Sequence, residues 1–465
     1  MKKLLPIFFV LAWLNSSATT FPLGSGSGSL TLTSMSGHSF GDTALVNVTG
    51  SYTGGNIQNL NGIVILPSTW ASGGSIVFTG TVNVSFTKYC EIGAHIFNSV
   101  SGDCFNMGGS SNTNSHLYLH NFYVGNCTGS YINTTGNQLH SISDTTGYKV
   151  YICHISHGQL FQSNELWMGS FADASQNHPQ LADASDSAEI DNILDLGTAA
   201  TSEEGTGIRG IFFRFKVHDC QIISITQRGP SGDVGWVYIK GGQAWVYNIY
   251  KRGGPGAILR ITPETEVGKE RPVMGWNLIS VEITEYATVN TQQDSTFSQA
   301  GGWHSTSTYL SHITGGDHGE QIGYWSPVIT VGTVLPGTVV QIRYCLGFNN
   351  KVNGKQTIAV DMSSAPYAWN NDTLGDQYYA SATLAKLDTT GHAYTNSLGT
   401  FPDYAPTSGS PSSLLTGGGN TSYSSTDFAG APYNSVKGYM AVPGALPPPP
   451  SVNYAPNSKY SIKLP

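Results

Sequence analysis

Charge is scarce in this chain. Asp, Glu, Lys and Arg make up 11% of its 465 residues, too few for a coiled coil or for a helical enzyme with a charged surface. Lys and Arg number 21 against 29 Asp and Glu, for a formal net charge of −8. Without clustered cations to displace counterions from phosphates, nucleic acid is not an expected partner. Beyond the first residues, no apolar run reaches the roughly 18 residues a membrane-spanning helix needs, so no membrane span is expected. The chain also has no Cys-x-x-Cys, no Gly-x-Ser-x-Gly, no His-Glu-x-x-His and no phosphate-binding loop; "GDTALVNVTG" offers glycines but no Lys. These absences remove the common metal, serine-hydrolase and nucleotide sites that a motif reveals.

What remains is rich in Gly, Ser, Thr and Asn. Residues 1–18 place Lys2 and Lys3 before an apolar run from Leu4 to Leu14, then Ser16 and Ala18 at cleavage spacing. This pattern predicts a signal peptide and a secreted or periplasmic protein starting near Thr19. In such a compartment the six cysteines, Cys90, Cys104, Cys127, Cys153, Cys220 and Cys345, are free to oxidise. A Cys90–Cys104 bridge and buried free thiols are both open readings.

A repeat organises the rest. Lys216, Asn248, Ser280, His312 and Tyr344 fall in one column when the chain is cut about every 32 residues, a search made before any motif is trusted. The next position is Val217, Ile249, Val281, Ile313 and Cys345; two before the column stand Arg214, Val246, Leu278, Leu310 and Ile342. Nine of these ten flanking residues are apolar in a chain that is 39% hydrophobic, which marks two short strands meeting at a polar bend. Asn121 and His154 carry the same flanks upstream. Between His154 and Lys216 there is room for two turns or for one turn with an insertion, and the acidic run near 171–207 favours the insertion. Strand-rich repeats with Gly-rich corners predict an all-β fold, a right-handed parallel β-helix over residues 19–440 with coils of about 32 residues, in which each coil buries its apolar side on the next. Residues 441–465 form a Pro-rich tail with no packing pattern.

The segment Thr407–Met440 adds a resemblance. Its Ser410-Pro411 pair and the Asp427, Gly430, Pro432 run resemble the ending of exported bacterial right-handed parallel β-helix repeat proteins, although "GYM" at 438–440 stands where that family has an acidic close. The coils look like the pectate-lyase-like architecture by repeat shape. The resemblance implies a polysaccharide partner and a lyase or glycosidase activity; the competing class is a non-catalytic surface or matrix adhesin.

Residues one period apart become neighbours in a solenoid, so columns nominate sites. His218, Tyr250 and Glu282 offer a base, a ring for sugar stacking and a carboxylate, and are taken as outward-facing substrate-binding residues. Glu285, Asp317 and Asn349 follow Gly253 in a second column, flanked by His318. Two carboxylates and an amide suit a calcium ion, which takes hard oxygens, or the acid and nucleophile of a retaining glycosidase. In "YKRGGPGAILR", Lys251, Arg252 and Arg260 are cations for neutralising the carboxylate of a uronic acid or, deprotonated, abstracting its C5 proton. Catalysis is therefore assigned to Glu285, Asp317, His318, Lys251 and Arg252. Calcium would fall to Glu285, Asp317 and Asn349.

Overall fold

In a computed structural model of the chain, the described residues are 18–107, 114–125 and, between 127 and 402, mainly the strands. Apolar and polar residues alternate within the segments, and Gly, Asn, Ser or Thr close them, which favours strands joined by bends. In Ser51–Gln58, for example, Tyr52 and Ile57 point inward while Ser51 and Thr53 are exposed. Trp70–Ser72 is the one helical turn among the described residues.

The strands join into one parallel sheet of 27 strands that wraps into three faces. One circuit runs from Val64–Pro67 on face I to Ile76–Phe78 on face II and Val82–Ser85 on face III; Glu91 then returns to face I against Val64. Later coils repeat the path, with longer strands crossing corners. Ile208–Ile223 passes from face III through face I to face II, and Gly235–Arg252 lies on it along nearly its whole length. The fold is thus the parallel β-solenoid that the repeat predicts.

The coil step is not constant. Thr43 lies 23 residues after its partner Thr20, Val64 lies 21 after Thr43, and the next two steps, to Glu91 and Tyr118, are 27 each. Val217 to Val246 and Val246 to Gly275 are 29 each, Gly275 to Leu310 is 35, and Leu310 to Ile342 is 32. The expected column of Val217, Ile249, Val281 and Ile313 is therefore corrected. Val217 pairs with Val246, Ile249 with Cys220 and Leu278, Val281 with Arg252 and Gly316, and Ile313 with Leu278. Val217, Ile249 and Ile313 are nevertheless all fully buried. A regular cut finds inward positions because one member of each coil's apolar set falls near it, whichever coil member that is.

The insertion near 171–207 is also corrected in part. Asp186–Asp191 pairs with Val150–Ser156 on one side and with Ile208–Ile223 on the other, so it is a rung of the solenoid and two turns separate His154 from Lys216. Residues 1–17 of the expected signal peptide 1–18, the segment Thr407–Met440 and the tail 441–465 lie outside the described residues.

Bends lie where the register skips a residue. On the early coils the skip falls at Ala94 and Asn121, both with left-handed φ, 58° and 54°. Farther along it falls at Asp219 and Asn248, then at Asn277, then at His312. Asn121, Asn248 and His312 thus occupy the predicted polar corner. Lys216 and Ser280 sit three places from it, and His154 pairs with Tyr118 on face I.

Inside the first coils a chain of five rings runs through an otherwise mainly aliphatic core. Tyr52 and Phe78 meet at 5.8 Å, Phe78 and Phe97 at 5.4 Å, Phe97 and Phe105 at 4.8 Å, and Phe105 and Phe122 at 6.1 Å. Cys90, Cys104, Cys127 and Cys220 are buried free thiols, so the Cys90–Cys104 bridge is absent. Burial pushes the Cys90 thiol up to about 12, far from the thiolate that reactive cysteines need.

Candidate functional site

Two columns run up face I at positions alternate to its buried apolar column. One passes in register through Glu91, Tyr118, His154, Glu189, Lys216, Trp245, Met274 and Tyr309. The other passes through Gly93, His120, Ser156, Asp191, His218, Tyr247, Trp276 and Ser311, one place before the bend. Acids, histidines and aromatic residues dominate both. They stand at strand positions that alternate with Leu119, Ile190, Val217 and Val246, which fill the core.

In the early coils these positions form a compact group. His120 Nε2 lies 3.0 Å from Glu91 Oε1, each side chain only 1% exposed. The second ring nitrogen is 3.3 Å from Asn121 Oδ1. Tyr118 stacks on the imidazole at 4.4 Å, and Trp70 meets it edge-on at 5.8 Å. Gly93 makes this possible: a Cβ there would stand 2.4 Å from His120 Cε1, so any side chain would displace the ring. Glu91 Oε2 is buried without a hydrogen-bond partner among the described residues. A buried polar atom left unpaired is costly, and this one stands next to an imidazole.

A related arrangement recurs farther up the same column. His218 Nε2 lies 3.8 Å from Asp191 Oδ2, a charge contact rather than a hydrogen bond. The His218 ring lies parallel to Tyr247, within 2° and with centroids 4.7 Å apart. His218 and Asp191 are buried, as are Tyr247 and Trp245. A carboxylate beside an imidazole sets which ring nitrogen holds the proton and stabilises the protonated ring, which is the equipment for moving protons.

Several sequence-based assignments separate in space. His218 is buried rather than solvent-facing, and its neighbour is Tyr247, whereas Tyr250 lies in register with Gln221 and Ile279 on face II. Lys251 is also buried and lies between Ile222 and Ser280; Arg252 lies between Ile223 and Val281. The His218–Tyr250 pairing is not present, because the step between these coils is 29 and not 32. Glu282, Glu285, Asp317, His318 and Asn349 lie outside the described residues. The strand ends before them, Val281, Gly316 and Phe348, are in register through steps of 35 and 32. The described residues contain no group of three or more His, Cys, Asp or Glu side chains placed to hold a metal ion.

Glu91, His120 and Asp191 escaped the periodic search because their coils step by 27 and 35 residues. A local signal was present. In "LHNF", "VHDC", "VYNI" and "GWNL" the residue before the corner Asn or Asp is His, Tyr or Trp, and that residue belongs to the second column. No family model, curated protein or solved structure matches this chain.

Proposed function

We propose that this chain is an exported, right-handed β-solenoid of the pectate-lyase-like kind that binds polysaccharide along face I. The observation that supports this reading is the repetition of rings and histidine–carboxylate contacts along the two outer columns of face I, Glu91–His120 with Tyr118 and Asp191–His218 with Tyr247. A linear polymer offers similar groups at regular intervals, and stacked coils rising about 4.8 Å each answer with similar groups at regular intervals. Right-handedness follows the hand of almost all parallel crossover connections.

Cleavage would use the same pairs, with imidazole as general base or acid and the carboxylate orienting it. The near-complete burial of Glu91 and His120 favours the second reading, in which the face is a non-catalytic adhesive surface and the pairs set its shape. The experiment is a polysaccharide panel with the full chain, with and without calcium, measuring binding, new reducing ends and the ultraviolet absorbance of unsaturated products. New ends that disappear in His218→Gln support the enzyme; binding without new ends supports the adhesin. If no polysaccharide is bound or cut, the proposal is wrong.

A further inference from the structure

Among the described residues only two large hydrophobic side chains are exposed, Phe86 at 44% and Tyr89 at 39%. Both belong to the four-residue corner Phe86-Thr87-Lys88-Tyr89 that carries the chain from face III to face I. Both also have left-handed backbones, φ 53° and 52°, a conformation that costs a bulky L-residue roughly 1–2 kcal/mol.

The coils beneath show what these positions require structurally. Tyr89 continues a column whose earlier members are Gly41 and Gly62, with φ 94° and 73°, where the same backbone is free of strain. Phe86 follows Asn59, φ 55°, a residue type that tolerates this region. Above Tyr89 the column continues with His116, φ 54°. Where the lower coils turn on glycine and asparagine, this coil turns on two exposed rings, so the rings are not there to make the turn.

The rings are also set in place. Tyr89 stacks on His116 with centroids 4.2 Å apart and 27° between planes, and Phe40 approaches Tyr89 at 6.2 Å, resting over Gly62. Thr87 anchors the corner from within. Its hydroxyl donates to the carbonyls of Ser85 and Ile57, and its N–H donates to Asn114 Oδ1. Lys88 stands exposed between the two rings, while its backbone bonds to Leu60 and Gly62. A rigid corner that holds two exposed rings and one ammonium group loses little entropy on binding.

We infer that the corner Phe86–Tyr89, backed by His116, is a stacking site for the pyranose rings of a neutral polysaccharide. The apolar C–H face of a sugar packs on Tyr89 and Phe86, as apolar surfaces pack on aromatic rings, and Lys88 donates to sugar hydroxyls. A polyanion is disfavoured because the chain carries a formal net charge of −8, which repels it at long range. The inference rests on the polysaccharide reading above but uses a different edge of the solenoid from the face I pairs.

The test is electrophoresis of the full chain through native gels containing soluble glucan, xylan or galactomannan, with polygalacturonate as the anionic comparison. At least one neutral polymer should retard the wild type more than polygalacturonate does. Tyr89→Gly installs the residue found at the two lower positions of the column, so it should fold normally while weakening that binding by about tenfold. Phe86→Asn copies Asn59 and should weaken it by a few-fold. Neutral-polymer binding that persists in both variants overturns the corner site and leaves the polysaccharide reading standing. Retardation by polygalacturonate alone overturns the corner's ligand class. A wild type that binds nothing overturns both.

Discussion

The first coils and the later coils of this solenoid both carry rings on the outer side of face I, but among the described residues only the first coils also carry a chain of rings through the core. From Tyr52 to Phe122 five aromatic side chains join the aliphatic core, and two successive steps on face I are 27 residues. From Val217 to Ile313 the described core residues are aliphatic apart from Cys220, with Val246, Ile249, Leu278 and Leu310 among them, while Trp245 and Tyr247 stand on the opposite side of face I and the steps are 29 to 35. Either content gives a stackable coil. The described regions thus differ in where their rings lie and in the length of their steps.

Damage to the core should show that the halves depend equally on burial. Phe97→Ala in the first coils is expected to cost about 3–5 kcal/mol through the cavity left behind. Ile249→Asp in the later coils should cost at least several kcal/mol, since an unpaired charge would enter apolar surroundings. Urea melts of both variants check this, and an unchanged midpoint in either would show that half to be loosely packed.

The two histidine–carboxylate contacts should separate the halves. Glu91→Ala removes one partner of a fully buried, hydrogen-bonded pair and should cost about 3 kcal/mol. Asp191→Ala breaks a longer contact of a buried pair that is not hydrogen-bonded and should cost less, about 1–2 kcal/mol. Equal losses in thermal melts would mean that the two sites are the same device.

A pH series probes a feature of the first coils. His95 lies fully buried among Phe78, Phe97 and Phe105, its ring nitrogens without hydrogen-bond partners among the described residues, and burial holds it down to about 3. The unfolded chain binds this proton below about pH 6.5 and the folded chain does not. Stability from this group is therefore complete above pH 6.5 and falls as pH drops toward 3, by up to about 1.4 kcal/mol per pH unit. His95→Phe should remove that slope in urea melts between pH 7 and 4. Asp42 acts lower: burial opposes its charge, but the N–H groups of Thr19 and Ser39, with His38 nearby, outweigh that and lower its pKa. Its contribution is present above about pH 3.8 and is lost below it as the carboxylate protonates.

The smallest expected effect is a gain. Ala94, φ 58°, precedes His95 at the corner, and Ala94→Gly should stabilise the fold by about 0.5–1 kcal/mol, because the relief of left-handed strain exceeds the added chain entropy of glycine. A loss in the thermal midpoint would mean that the Ala94 methyl contributes more by packing than the strain costs.

The sequence carried the fold further than it carried the site. Apolar residues on either side of Asn121, Asn248 and His312 marked the bends correctly, because a bend between two faces imposes a local pattern. The partnerships His218–Tyr250 and Val217–Ile249 failed because neighbours depend on every residue between them. Three residues fewer, taken up in a corner, turn a step of 32 into the 29 that sets His218 against Tyr247 and Val217 against Val246. Glu91 and His120 were invisible for a related reason: they are diagonal neighbours on adjacent coils, and only the space over Gly93 brings them together.

By itself the sequence determined a parallel, strand-built solenoid with polar corners, since alternation at period two and bend residues at each corner act over a few residues and need no knowledge of distant ones. The tertiary structure alone decided which side chains meet. Corners absorb insertions and deletions while the strands they join remain stacked, so the core tolerates steps from 21 to 36 residues. Contacts such as His120 with Glu91 or Tyr89 with His116 follow from the summed length of every corner between them, a quantity that no local pattern in the sequence records.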